Sequence, residues 1–233
     1  MDHRPRLGPI VVFVLGCVGA SGVRAQESIK VEALKQAPPS SIAPEVQSAL
    51  STEGVRIQDD QGHPVAEIWL RKAIPGSEKP SGPKGTIQFP FLADGELLGV
   101  LQFNAEGHDH KDQPIAKGVY TMRYGLQPVN GDHLGVSTYR DYVLLLPAAK
   151  DQSLALPTRK QLEERSAGAA GTSHPASFLM LMAPPGAKPE SAVVHDAEKN
   201  TWGVVLPISL QVKGQAEPTI YPVQLVVVGA AAA

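Results

Sequence analysis

The stretch Val55-Arg-Ile-Gln-Asp-Asp-Gln-Gly-His-Pro-Val-Ala-Glu-Ile-Trp-Leu-Arg71 decides the fold class. It begins with alternating apolar and polar residues, passes through the turn-forming run Asp59–Gly62, and ends in a second alternating segment, Val65–Arg71. Two alternating segments that flank such a turn predict a β-hairpin. In the second strand, the face that we expect toward the core is uniformly apolar and consists of Ala66, Ile68 and Leu70.

The same alternation recurs along the chain and predicts further strands. These are Thr86–Phe91, Glu96–Phe103, Val119–Leu126, Tyr139–Leu146, Ser177–Met182, Ala192–His195, Thr201–Val212 and Ile220–Val228. The run Val129–Asp132 contains Asn-Gly, which is typical of a tight hairpin turn. Short helices are predicted within Ser41–Leu50 and from a capping box at Thr158–Gln161 to about Ser166, followed by a glycine-rich link.

Roughly ten short strands, one or two short helices and no repeated strand–helix alternation predict an all-β fold, specifically an antiparallel β-sandwich. A partly closed barrel is the alternative. We expect a single domain over 54–229, preceded by a signal peptide over 1–25 and an N-terminal tether with a short helix over 26–53. Residues 230–233 form a tail that we expect to fray.

Residues 1–25 have the composition of an export signal. Arg4 and Arg6 precede the apolar run Leu7–Gly16, and small residues lead to a cleavage site after Ala25. We therefore expect a periplasmic or secreted protein.

The alternative is a lipoprotein signal. Val14-Leu-Gly-Cys17 resembles a lipobox, and Cys17 is the only cysteine in the chain. Cleavage before Cys17 would leave a lipid anchor and place the protein in the outer membrane. A membrane span requires about 20 apolar residues. No such stretch follows the signal, so we expect no transmembrane span in the mature chain.

Charge and motifs exclude several classes of function. The formal net charge is −2, with 21 basic and 23 acidic residues, which argues against a nucleic-acid partner. The chain contains no Gly-x-Ser-x-Gly motif, no phosphate-binding glycine loop and no dinucleotide fingerprint. No catalytic residue and no organic cofactor site can be assigned, which favours a protein that is not an enzyme.

Three histidines are the candidates for a metal site. In an extended chain, His108 and His110 point the same way, and imidazoles are common ligands of zinc and copper. His133, just after the Asn-Gly turn, would complete a three-histidine site if the two loops converged. Cupins use such a His-x-His pair, but the glutamate that their motif requires is absent from Lys111–Pro114. The competing interpretation is a solvated polar loop between strands.

Three aromatic residues are the candidates for a ligand surface. Tyr124, Tyr139 and Trp202 could form a platform for a sugar ring, as in carbohydrate-binding modules. The competing interpretation assigns the tyrosines of this region to core and cross-strand packing.

The block Ile115–Pro128, with Gly131–Gly135 and Tyr139–Pro147, resembles an uncharacterised family of small exported bacterial proteins. The resemblance extends from about Gly54 to Val228 and includes Glu67-Ile-Trp-Leu-Arg-Lys72 and His174-Pro175. It implies an exported protein. No activity is assigned to that family, so the resemblance carries no functional residue to this chain.

These features predict an exported cell-envelope protein that acts as a non-catalytic binding or structural module toward an envelope or extracellular ligand. One alternative is a metal-binding envelope protein or metal-dependent enzyme that holds zinc or copper through its histidines. Another is a carbohydrate-binding module.

Overall fold

The computed structural model of the chain describes residues 28–129 and 138–229. The predicted signal peptide with Cys17, residue His133 and the tail 230–233 lie outside the described residues. In chain order the elements are β1 (Lys30–Leu34), α1 (Pro44–Ala49), β2 (Gly54–Gln58), β3 (Pro64–Leu70), β4 (Ile74–Gly76), β5 (Leu97–Phe103), β6 (Gly107–His108), β7 (Pro114–Ile115), β8 (Gly118–Leu126), β9 (Asp141–Pro147), a 3-10 turn (Ala148–Lys150), α2 (Arg159–Ala170), β10 (Ser177–Met182), β11 (Ala192–Asp196), β12 (Thr201–Val212) and β13 (Thr219–Val228). Within this part of the chain, neither α-helix is long and apolar enough to cross a bilayer.

Eleven of the strands form one continuous sheet. Its order is β1-β2-β3-β5-β8-β9-β10-β13-β12-β11, and β4 attaches beside β12. The neighbours along this path pair antiparallel, whereas β4 runs parallel to β12. Strands β6 and β7 form a separate two-stranded ribbon. Strand β1, which lies inside the predicted tether, is one edge of the large sheet.

The prediction of an all-β protein is confirmed, but the antiparallel two-sheet sandwich is wrong. Strand β10 is the reason, because it belongs to both halves of the sheet: Ser177–Leu179 pair with β9, and Met180–Met182 pair with β13. The sheet therefore continues through β10 instead of separating into two layers. Strand β4 follows β3 along the chain yet pairs with β12, so the sheet curls back toward its beginning. The architecture is a mixed, curled half-barrel, which is closest to the partly closed barrel.

The main core lies on the inner face of this curl. Ala66 and Ile68 are buried there, and Leu70 packs against the same cluster, as the alternation in β3 predicts. The opposite face of β3 is also covered. Trp69 has no exposed surface and packs against Leu34, Ile42, Val46 and Leu50 from the N-terminal segment, while its indole N–H donates to the Gln36 carbonyl at 2.7 Å.

Helix α2 covers part of the outer face of β9. Its start follows the predicted capping box, because the Thr158 side chain accepts from the backbone N–H of Gln161 and the Gln161 side chain accepts from the N–H of Thr158. Leu162 packs against Leu144 and Leu146 on that face. The helix runs past the predicted end at Ser166 and stops at Gly171, whose φ of 64° favours glycine.

A buried ion pair fixes the loop that leads into α2. Arg123, with no exposed surface, donates two hydrogen bonds to Asp151 and further bonds to the carbonyls of Ser153, Ala155 and Gly95. A buried charge of this kind requires such complete pairing, because an unpaired ion in a protein interior is strongly destabilising. The pair thereby holds the loop against β8 and sets the position from which α2 begins.

Candidate functional site

A cleft with a volume of about 400 Å³ lies between α2, the outer faces of β8 and β9, and the start of β10. Sites for small organic molecules typically have volumes of about 300–1,000 Å³ and mostly apolar walls with a few placed polar groups. The walls of this cleft match that description. Their apolar part includes Leu126, Tyr142, Leu144, Ala167 and Pro175, and their polar part includes His110, Arg159, Glu163, His174 and Ser177.

A turn stabilised by Asp109 places His110 in the wall of the cleft. The Asp109 carboxylate is buried and accepts hydrogen bonds from the backbone N–H groups of Lys111 and Gln113, at 2.8 and 2.9 Å. The His110 backbone N–H donates to the Ser177 carbonyl, which ties the turn to β10. The imidazole lies against Tyr142, with ring centroids 5.0 Å apart, and only 5% of the residue is exposed.

One hydrogen bond determines the tautomer of His110. Its Nδ1 atom lies 2.7 Å from the carbonyl oxygen of Ser177. A carbonyl oxygen can only accept, so Nδ1 carries the proton and Nε2 carries the lone pair. Burial lowers the pKa of His110 below its usual 6.5, although the Ser177 carbonyl and Asp109 oppose this shift. The ring is therefore neutral near pH 7 and offers a hydrogen-bond acceptor.

An aspartate, a histidine and a serine lie together, namely Asp109, His110 and Ser177. Their hydrogen bonds do not prepare the Ser177 hydroxyl to act as a nucleophile. Nucleophilic catalysis requires a histidine nitrogen that can take the proton from the hydroxyl. The Ser177 hydroxyl lies 3.2 Å from Nδ1 of His110, the nitrogen that already holds a proton for the Ser177 carbonyl. Asp109 accepts from the backbone N–H of Ser177 and of its own turn, and no described hydrogen bond joins its carboxylate to the imidazole. The geometry fits a positioned acceptor instead of a nucleophile–base pair.

The charged side chains on the α2 side of the cleft pair with one another. Arg159 donates from Nε to Glu163 at 2.6 Å and from Nη1 to Asp94 at 3.3 Å. Glu164 lies 3.8 Å from Lys160. Because these opposite charges lie so close to each other, their net electrostatic attraction for a strongly charged ligand is small.

The two proposed metal ligands that the structure describes, His108 and His110, occupy different surroundings. His108 is half-buried in β6, and the turn that begins at Asp109 ends the extended conformation that would align it with His110. Because His133 lies outside the described residues, its convergence with the other two stays a prediction. Within 28–129 and 138–229, no three His, Cys, Asp or Glu side chains form a group that could hold a metal ion.

The proposed aromatic platform does not form one surface with all three residues. Tyr124 is fully buried, and its hydroxyl donates to Asp141 at 2.6 Å. Burial, reinforced by Asp141, raises the pKa of Tyr124 far above its ordinary value. Trp202 is half-buried in β12, which is separated from β8 by three strands of the sheet, and it stacks on His195 with ring centroids 4.0 Å apart. Tyr139 is half-buried beside β9. A ligand role for Tyr139 and Trp202 stays a prediction.

Several residues of the cleft were not among the predicted site residues. They are Tyr142, Arg159, Glu163, His174 and Ser177. In the sequence, these residues are distinguished only as polar or aromatic residues near the ends of predicted strands and helices. The pairing of β9 with β10 brings Tyr142 and Ser177 together, and that pairing cannot be read from residue spacing.

Comparisons of the chain with protein-family models, curated protein sequences and solved structures find no match. The geometry of the cleft therefore carries the functional argument.

Proposed function

We propose that the protein is a non-catalytic binding protein that holds a small organic molecule in the cleft beneath α2. The observation that carries this proposal is His110, a buried and neutral imidazole whose orientation is fixed in the wall of a largely apolar cleft. Binding sites gain specificity from a few polar groups held in fixed positions among apolar walls. The Asp109 turn and the Ser177 carbonyl hold His110 in this way.

The apolar side of the cleft supports the same proposal. The Tyr142 ring and the Leu144 side chain present a surface against which a flat ring can pack, and Ala167 on α2 faces the same space. Burial of such a ring contributes about 25 cal/mol for each Å² of apolar surface removed from water. The paired charges of Arg159 and Glu163 favour a ligand that is itself uncharged.

The proposal also includes the cellular location of the protein. The composition of residues 1–25 supports export, and the absence of any cysteine other than Cys17 means that the fold needs no disulfide outside the cell. Mass spectrometry of the mature protein tests this part. A free N-terminus at Gln26 supports a periplasmic or secreted protein, a lipidated Cys17 supports an outer-membrane lipoprotein, and an intact Met1 in the cytoplasm contradicts export.

Titration of the full-length mature protein with p-cresol, followed by amide NMR spectra, tests the proposed cleft. We expect shifts that cluster around His110, Tyr142 and α2. The A167F substitution fills the cleft and should weaken p-cresol binding at least about tenfold, or 1.4 kcal/mol. The K160F substitution adds the same ring to the exposed part of α2 and should leave binding unchanged.

Methyl β-D-glucoside, titrated in parallel, separates this proposal from a carbohydrate-binding module. Shifts that the glucoside alone induces around Tyr139 or Trp202 would favour the carbohydrate module. Binding of p-cresol that A167F does not weaken would contradict the cleft as the binding site.

A further inference from the structure

We infer that the ligand of the cleft is a molecule that donates a hydrogen bond, from a hydroxyl or N–H group, to Nε2 of His110. This inference rests on the proposed function and adds the chemical class of the ligand. It distinguishes uncharged donors such as phenols and amides from ligands of the same shape that can only accept.

The Ser177 carbonyl fixes the orientation of the imidazole. Nδ1 of His110 is held by the Ser177 carbonyl at 2.7 Å, so the other nitrogen is left as the acceptor. Turning the ring over would place a carbon atom against that carbonyl and would forfeit the hydrogen bond. Among the described residues no hydrogen bond involves Nε2, and His110 lines the cleft.

Two donor groups of the Arg159 side chain are already engaged by carboxylates. Arg159 is the strongest donor of the cleft wall, and its Nε and Nη1 groups donate to Glu163 and Asp94. The Glu163 carboxylate is itself an acceptor. With Nε and Nη1 of Arg159 directed to these carboxylates, Nε2 of His110 is a buried acceptor that a donating ligand can satisfy.

Protonation of His110 should reverse this selectivity, because Nε2 then becomes a donor. Burial opposes this protonation by lowering the pKa of His110. The charged and titratable groups around the ring come from each neighbouring element. Asp109 and Lys111 belong to its own turn and Tyr142 packs on it from β9, while His174 before β10 and Arg159, Glu163 and Glu164 in α2 line the same cleft. Asp109 favours the protonated ring and Lys111 opposes it.

The test compares p-cresol with 4-methylanisole, in which a methyl group replaces the hydroxyl proton. The two probes share the ring and differ in the donor. We expect the wild-type protein to bind p-cresol about tenfold more tightly near pH 7.5, since one neutral hydrogen bond contributes about 1 kcal/mol and an unpartnered buried acceptor adds to the difference. The H110F variant keeps a ring against Tyr142 and should bind both probes with similar affinity. The H63N variant, at an exposed histidine before β3 that does not line the cleft, should keep the wild-type preference.

A second measurement needs no substitution at His110. The ring is titrated in the wild-type protein while its own ¹⁵N signals report its protonation, and the preference for p-cresol should disappear as the ring becomes protonated. Equal binding of both probes at neutral pH, or a preference that survives full protonation, would overturn the inference and leave the binding cleft intact. Failure of both probes to bind would overturn the proposed function as well.

Discussion

The guanidinium of Arg123 and the carboxylate of Asp151 form a bidentate ion pair, with Nε 2.7 Å from Oδ2 and Nη2 3.0 Å from Oδ1. Neither side chain is more than 3% exposed. Because Asp151 lies in the loop before α2, this pair links the rigid strand β8 to the helix that covers the cleft. We therefore expect this buried contact to contribute to the stability of the fold and to hold the loop from which α2 begins.

The D151N substitution should lower the free energy of unfolding by about 3–5 kcal/mol, because it leaves the Arg123 charge buried and without its counter-ion. Urea unfolding followed by circular dichroism measures the change. The E78Q substitution breaks the exposed pair between Glu78 and Lys84 and should have no measurable effect. A D151N protein as stable as the wild type would contradict the structural role of the pair.

Tyr124 should contribute more through its hydroxyl than Tyr120 does. The Tyr124 hydroxyl donates to the buried Asp141 carboxylate, whereas that of Tyr120 donates to the carbonyl of Ala116. Hydrogen bonds to charged groups contribute about 1.5–3 kcal/mol, and neutral ones about 1 kcal/mol. Unfolding free energies should therefore fall further in Y124F than in Y120F. Equal losses of unfolding free energy in the two variants, or no loss in Y124F, would contradict a buried hydrogen bond from Tyr124 to the Asp141 carboxylate.

The start of α2 depends on its cap. The T158A substitution removes the side-chain acceptor for the Gln161 N–H, and we expect a loss of about 1 kcal/mol. Hydrogen exchange should become faster in the first turn of α2, where the orphaned N–H lies. The matched substitution T52A, at an exposed position outside any helix, should change neither quantity. Unchanged exchange in T158A would show that packing alone fixes the helix start.

Acid should destabilise the protein through His110. The folded-state pKa of His110 is lowered from 6.5 by burial, so the unfolded chain binds a proton more readily than the native protein does. Stability therefore falls as the pH falls through 6.5 and levels off below the folded-state pKa. We expect H110F to lose this part of the pH dependence and H174N to retain it. Unfolding free energies that depend on pH in the same way in H110F and the wild type would contradict a buried, neutral His110.

The alternation of residues predicts which face of β3 meets the core, but it does not predict that the other face is covered. Ala66 and Ile68 lie in the core as expected. Trp69 and Glu67, on the opposite face, are also buried, because the N-terminal segment packs over Trp69 and Arg56 donates to Glu67 at 2.8 Å. Whether the second face of a strand is buried depends on which distant segment packs on it. Local residue periodicity carries no information about that packing.

The sandwich prediction fails for a related reason. Ten short strands can divide into two sheets or continue through a shared strand, and both arrangements have the same alternation. Strand β10 decides between them by pairing with β9 through one half and with β13 through the other. The same strand places Ser177 beside His110, so the candidate site depends on the topological feature that the sequence leaves open.

The start of α2 can be predicted from the local sequence. The capping box at Thr158 and Gln161 is confirmed, since it depends only on residues that are close in the chain. The predicted end at about Ser166 is too early, because Gly168 favours a link over a helix in the sequence. In the structure Gly168 continues the helix, and Gly171 supplies the left-handed residue that ends it.

The ¹⁵N spectrum of the His110 imidazole during a titration with p-cresol tests the central claim most directly. We expect a protonated Nδ1 and an unprotonated Nε2 in the free protein near pH 7.5, and a change in the Nε2 signal as p-cresol binds, while the Nδ1 signal stays in place. An imidazole protonated on Nε2, or an Nε2 signal that p-cresol leaves unchanged at saturation, would contradict the cleft as a site that binds through His110.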